Sequence, residues 1–437
     1  MARKLKGFGL ALSGGGYRAS LFHLGATRRL HELGVLQKIT TLSCVSGGSI
    51  FAGFLAECML RKDRTTLTFD DWDEEIAVPF RKFVRRDVRT GLIVKHVAWN
   101  WLNPGLRAAG LEKMFRKRLT GRKLVELPRK GKGVEFYFLA TNIKTGVMWK
   151  FTSEDIGDYL DKTEPTPDGM DIATAVTASA CFPPVFGPMK IKRGDKESWY
   201  LTDGGVYDNS GMEPVWDKKK VVLVSDAGSP FALSVPKTAA GRLLRYIEIG
   251  CNQVGARRRL ALRARIDENY RSLREYDDVT ESGEPRGTDC ALRDEMQCYM
   301  RTRRVTDKAI GTFWRLGGVE EAYAKGGGPA FEEELQELRK GWYGYGQDAE
   351  QTIDGIRTDL DSFTTAEAKI LENHGYWWAD LAIRRFVKGR QVDGEEIADF
   401  AVPFVPPNED YLDDGVVRKS LKNSKSALFF WKRWFNK

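Results

Sequence analysis

The stretch "ITTLSCVSGGSIFAG", residues 39–53, decides how the chain is read. Its first seven residues are mostly β-branched or apolar, as in a buried strand. Serine and glycines follow Val45, and "SIFAGFLAECML" then continues as an apolar helix. Strand, sharp turn and helix in succession are the grammar of a parallel α/β sheet. Ser46 has two readings. It is a nucleophile on a strained strand-to-helix turn, which demands small residues two positions to either side, or it is a serine in a glycine-rich helix cap. Those neighbours are Cys44 and Gly48, so the pattern is C-x-S-x-G where G-x-S-x-G is usual. Cysteine is small enough to be tolerated there, and both readings stand at this point.

Upstream, "KGFGLALSGGGYRAS" predicts a strand over residues 7–13 that runs through Gly14, Gly15 and Gly16 into a helix. Leu21, Leu24, Leu30 and Leu33 lie near helical spacing, and Gly34 sits where a left-handed cap belongs. Glycines between a strand and a helix let backbone N–H groups converge on an anion. Neither the Walker nor the dinucleotide spacing is met, which leaves an oxyanion or phosphate nest. Arg18 would then pair with a phosphate or brace the loop.

Downstream, residues 64–130 read as a helical, basic and aromatic insert. "EFYFLATNIKTGVMWKF" predicts a hairpin turning near Lys144 to Gly146, and "DIATAVTASACFPP" a small-residue helix stopped by Pro183 and Pro184. "WYLTDGGVYDNSG" and "KKVVLVSDAGSP" each read as a strand entering a turn. An Arg-rich helical region over 237–276, a late strand in "AIGTFWRLGG", and a helix opened by the capping box Thr364 and Glu367 follow. No internal repeat or clear linker appears. The expectation is one elaborated domain over 1–400, with its core at 7–228 and later helical elements at 237–390. A basic-aromatic tail at 401–437 follows it.

A nucleophilic serine needs a base. The chain has four histidines: His23, His31, His96 and His374. The chain order Ser46, an Asp, then His374 would suit a hydrolase triad, but a histidine in mid-helix is badly placed for it. The other candidate is Asp203, in "LTDGGVYDN", at a strand end beside Gly204 and Gly205. Burial there would raise its pKa toward useful basicity. Asp208 and Asp226 are its rivals.

Composition bounds the rest. The chain has 437 residues with 42% hydrophobic and 30% charged, enough for a substantial core. Nothing approaches the roughly 18 consecutive apolar residues of a membrane span, and the short N-terminal apolar run reads as a strand rather than a leader. Cys44, Cys58, Cys181, Cys251, Cys290 and Cys298 show no metal-ligand spacing and are expected as reduced structural thiols. A formal net charge of +9 favours an acidic partner. Residues 418–437 carry seven basic and no acidic residues together with Phe429, Phe430, Trp431, Trp434 and Phe435, which suits an anionic membrane surface. "RKFVRRDVRTGLIVKHVAWNWLNP", residues 81–104, has similar character. The arginines at 257–274 interleave with acids and read as a solvated ion-pair face, so nucleic acid is not the expected partner. The expected location is cytoplasmic, peripheral to the inner face of a membrane.

Taken together, Gly14-Gly15-Gly16-Tyr17-Arg18, Cys44-Val45-Ser46-Gly47-Gly48 and Asp203-Gly204-Gly205 resemble the patatin-like phospholipase family, related to the group IV cytosolic phospholipases. "LATNIKTG" at 139–146 and "ASACFPPVFGP" at 178–188 are softer points of likeness. The resemblance covers about residues 7–228 and implies a three-layer α/β/α hydrolase with a mainly parallel central sheet and helical insertions. It also implies a Ser46–Asp203 dyad without histidine, an oxyanion hole from Gly14 to Gly16, and acyl-ester hydrolysis of phospholipid or another acyl lipid. No cofactor or metal is implied. A non-lipid esterase with the same dyad and an inactive lipid-binding scaffold are the alternatives. No regulatory nucleotide or protein partner is identifiable.

Overall fold

The computed structural model describes residues 5–85, 105–183, 186–193, 196–216, 218–228, 309–318 and 328–425, together with 248–262 and scattered positions between 235 and 323. His96, Cys290, Cys298, residues 86–104 and the aromatic end of the tail lie outside the described residues.

Ten strands form the main sheet: β1 (Phe8–Leu12), β2 (Ile39–Val45), β3 (Glu135–Asn142), β4 (Met148–Phe151), β5 (Asp155–Gly157), β6 (Thr163–Pro165), β7 (Met189–Arg193), β8 (Lys196–Asp203), β9 (Val221–Asp226) and β10 (Ile310–Arg315). The order β10-β9-β1-β2-β3 is parallel throughout. Beyond β3 the sheet continues antiparallel through β4, β5 and β6. The Lys144–Gly146 hairpin therefore forms as its sequence predicts, between β3 and β4.

The parallel strands are buried on both faces, which is why they read as unbroken apolar runs. Leu10, Leu12, Val221 and Leu223 face the larger core. Ala11, Val222 and Val224 face a second cluster, covered by Met212, Val215 and Leu262 of the segments after β8 and β9. Helices thus lie on both sides of a mainly parallel sheet, the three-layer α/β/α arrangement.

Two helices begin at the C-terminal ends of the parallel strands: α1 (Gly16–Glu32) after β1 and α2 (Gly47–Arg61) after β2. A third, α3 (Ile172–Ala180), packs under α2 and ends before Pro183. The capping box on Thr364 and Glu367 forms and opens α4 (Thr365–Phe386), which crosses α1 at very close range. A Cβ on Gly25 would lie 1.8 Å from the Glu372 carbonyl oxygen, and one on Gly375 1.9 Å from that of Phe22. Each helix contributes the glycine that lets the other's backbone approach. The buried pair Arg29 Nε–Asp380 Oδ1, 2.7 Å apart, ties the same crossing.

One junction positions the site. β2 pairs with β3 as far as Val45 opposite Leu139. β8 takes over the same edge of β3, arriving antiparallel, with Asp203 opposite Ala140. Two strand ends thus meet head-on against adjacent residues of β3, and Ser46 and Asp203 are what each chain delivers there.

Candidate active site

Ser46 is the residue between β2 and α2, with φ 49° and ψ −115°. That is a strained conformation for a residue with a side chain, unlike the extended dihedrals of a simple N-cap. Its N–H donates to Ser179 Oγ at 2.8 Å. The Ser179 hydroxyl donates onward to the Leu139 carbonyl and accepts from Ser49 Oγ at 2.8 Å. The turn is tight because its glycines admit neighbouring backbone: a Cβ on Gly47 would lie 2.1 Å from the Gly16 carbonyl oxygen, and one on Gly48 2.4 Å from that of Leu12.

Cys44 lies within β2, opposite Leu12 on one side and Phe138 on the other. Its Sγ donates to the Tyr137 carbonyl at 3.3 Å, and burial pushes the thiol up to about 12. It is therefore an inert filler, and cysteine fits where the elbow pattern has glycine.

Asp203 is 1% exposed. The Gly205 N–H donates to its Oδ1 at 2.7 Å, while Oδ2 is buried without a hydrogen-bond partner among the described residues. Asp203 and Ser46 line the same cleft. Burial raises this carboxyl to about 7, against the smaller opposing pulls of the Ser46 hydroxyl and the Gly205 amide. Gly204 is required by close approach, since a Cβ would lie 2.4 Å from the Leu139 carbonyl oxygen. The rival carboxylates are occupied: Asp208 Oδ2 pairs with Arg258 at 2.7 Å and Asp226 Oδ2 with Arg259 at 3.1 Å. Arg258 reaches back to the short helix after β8 and Arg259 to the end of β9 rather than pairing along their own helix, which corrects the solvated-face reading for Arg258 and Arg259. Arg263, Arg265, Arg271 and Arg274 lie outside the described side chains.

The glycine loop divides its labour. The Gly14 N–H donates to the Asn209 carbonyl at 3.0 Å, so it braces the loop. Gly15 (φ 140°) caps α1 and Gly16 (φ 58°) begins it. Both line the cleft, and neither amide has an acceptor among the described residues. The positive end of α1 reinforces them.

Arg18 resolves in favour of bracing. It is 2% exposed and donates to the carbonyls of Ile356 and Ala227, both at 2.9 Å. A guanidinium committed to carbonyls inside the fold does not reach a substrate phosphate, so the phosphate-pairing expectation is corrected.

The three described histidines, His23, His31 and His374, are structural. His374 lies in the middle of α4, fully buried among Phe22, Tyr345, Trp377 and Trp378, and burial lowers it to about 3. His23 sits beneath the glycine loop with Nε2 2.9 Å from the Ser13 carbonyl. A carbonyl only accepts, so Nε2 carries the proton and Nδ1 accepts from the Ser225 hydroxyl at 2.8 Å. His31 stacks on Trp72.

The cleft encloses about 420 Å³. Phe182, Phe186 and Leu360 give it an apolar wall, and Arg259, Arg315 and Asp226 lie on the polar side. Two contributors escape a sequence reading: Ser179, which holds the Ser46 amide, and Asn209, which holds Gly14. Both stand inside segments already conspicuous, "ASACFPP" and "VYDNSG", but their partners are remote in sequence. Among the described residues no group of His, Cys, Asp and Glu is arranged to hold a metal ion, and no helix is long and apolar enough to cross a membrane.

Residues 10–216 match the family model of the patatin-like phospholipases. No curated protein matches the chain. Among solved structures it is similar to human GIVD cytosolic phospholipase A2, with 12% identity and a TM-score of 0.37 over 57% of this chain and 48% of that one. It is also similar to VipD from Legionella pneumophila, with 14% identity and a TM-score of 0.28 over 85% and 83% of the two chains. The chain spans about half the length of the human protein.

Proposed function

We propose that the protein hydrolyses acyl esters of membrane lipids, of the phospholipase A or lysophospholipase type, with Ser46 as nucleophile and Asp203 as its base. The observation that carries this reading is the junction of β2 and β8, which sets a strained serine beside a buried carboxylate raised to about 7. A carboxylate of ordinary pKa is a feeble base toward a hydroxyl; desolvation strengthens this one. Ser46 Oγ attacks the ester carbonyl as its proton passes to Asp203, and the amides of Gly15 and Gly16 stabilise the oxyanion. Collapse expels the alcohol, a lysolipid or glycerol derivative, which takes the proton from Asp203. Water then attacks the acyl-enzyme with Asp203 again as base, which releases the fatty acid and restores Ser46. Phe182, Phe186 and Leu360 would take the acyl chain.

Release of fatty acid from phospholipid vesicles tests the reading. Ser46→Ala is expected to lose turnover by about 10⁴-fold or more, and retention of wild-type turnover in that variant would refute it. Hydrolysis of water-soluble esters with no release from any lipid would instead favour the non-lipid esterase.

A further inference from the structure

Four exposed apolar side chains stand on two turns and one strand at the end of the sheet that carries Ser46. Ile143 (52% exposed) follows β3, Tyr159 (70%) and Leu160 (58%) follow β5, and Tyr200 (44%) lies in β8. β5 runs parallel to β3 because each is antiparallel to β4. Their C-terminal ends therefore point the same way, toward the sheet edge that carries Ser46. Tyr200 precedes the stretch of β8 that pairs with the end of β3, so it too projects past that edge.

Hydrogen bonds stitch the turns into one surface. Buried Asp158 accepts from Asn142 Nδ2 at 2.7 Å and Thr145 Oγ1 at 2.8 Å, and from the amides of Leu160 and Asp161. The Ile143 N–H donates to the Tyr200 carbonyl at 3.0 Å, and Trp199 Nε1 to Asp161 Oδ2 at 2.8 Å. The surface is thus rigid, with its apolar tips standing out rather than folded inward.

Among the described residues, the exposed charges around these tips that lack an ion pair are lysines. Asp158 and Asp161 keep their negative charge but turn it onto neutral donors within the turns, and Glu197 is paired with Lys144. Lys162, Lys190 and Lys192 are exposed and have no ion pair among the described residues. Lys190 Nζ stands 5.7 Å from the centre of the Tyr200 ring. Aromatic and aliphatic tips ringed by unpaired lysines suit an anionic lipid surface, whereas a second copy would bring like charges together. The surface also lies at the same end of the sheet as the cleft. Tyr200 lies three residues before Asp203, roughly 10 Å along a strand, and Phe182 (46% exposed) stands on the cleft wall.

We infer that the turns carrying Ile143, Tyr159 and Leu160, together with Tyr200 of β8, form a lipid-docking rim that seats the cleft mouth on an anionic membrane. This rests on the lipid-hydrolase reading for its purpose but not for its test. It is distinct from any contribution of residues 418–437.

The experiment measures vesicle partitioning of the full-length chain carrying Ser46→Ala, so that no lipid is consumed. Vesicles of phosphatidylcholine with phosphatidylglycerol are sedimented with this protein and with the same protein carrying Tyr159→Ser and Leu160→Ser. The rim variant is expected to bind about tenfold more weakly or worse with an unchanged melting temperature, as befits exposed positions. Lys162→Glu with Lys190→Glu is expected to weaken binding to these vesicles but not to pure phosphatidylcholine. Hydrogen exchange at 143–146 and 159–162 is expected to slow when vesicles are bound. Equal partitioning of the rim variant, or bound protein with no slowing there, would overturn the inference, as would loss of self-association without loss of vesicle binding. Failure of the hydrolase reading would appear separately, as absent turnover in a wild type that still binds.

Discussion

Asp203 is where one residue carries most of the account. Its folded-state pKa of about 7 lies above the ordinary carboxylate value, so the folded protein holds a proton that the unfolded chain releases. That protonation favours folding below about pH 4 and is progressively lost as pH rises toward 7. Asp203→Asn removes the ionisable group. The variant is expected to melt higher than wild type at pH 8, with the gain shrinking toward zero near pH 4, as thermal scans across that range would show. The same substitution should cost about 10²–10⁴-fold in turnover because the base is gone. In wild type, kcat/KM with a soluble ester should rise through about pH 7 as Asp203 ionises. A profile flat from pH 5 to 8 would mean that another group is the base. Cys44 offers the contrasting case. Its thiol is buried in β2, so Cys44→Ala should keep turnover within about twofold and cost about 1 kcal/mol of stability.

Among elements, the crossing of α1 and α4 matters most to the site, because α1 begins at Gly16 and its position sets the cleft amides. Gly25 and Gly375 make the crossing possible, and either one replaced by alanine must push the helices apart. Gly375→Ala should destabilise the protein by about 1–3 kcal/mol. Turnover should fall further than the unfolded fraction accounts for, which denaturant titration alongside kinetics would reveal. Arg18 works at the same scale, pinning the start of α1 to the segments after β9 and before α4.

Across the whole molecule, what was legible in the sequence was what is local. β1, β2, β9 and β10 announce themselves as apolar runs ending in small residues, because parallel strands buried on both faces leave few other choices. The three glycine-bearing motifs were legible for a similar reason: each marks a strand end where backbone must approach backbone. The junction of β2 and β8 was not, since its register couples residues some 160 positions apart. The commitment of Arg18 to Ile356 and of Gly14 to Asn209 was hidden in the same way. The histidines show the difference most plainly, for only packing reveals that His374 is sealed behind tryptophans. His374→Gln should leave turnover within about twofold of wild type. His374 is held neutral in the folded state, down to about pH 3, so its neutral form loses stability relative to the unfolded chain as pH falls below 6.5. Any deficit of the glutamine variant in thermal scans at pH 7.5 should therefore narrow at pH 5.

The most direct test of the Ser46–Asp203 site is covalent capture. A fluorophosphonate probe, followed by peptide mapping of the labelled protein, should place a single adduct on Ser46. Labelling should vanish in Ser46→Ala, slow strongly in Asp203→Asn and persist in His374→Gln. A folded wild type that remains unlabelled, or an adduct on another residue that survives Ser46→Ala, would contradict the account.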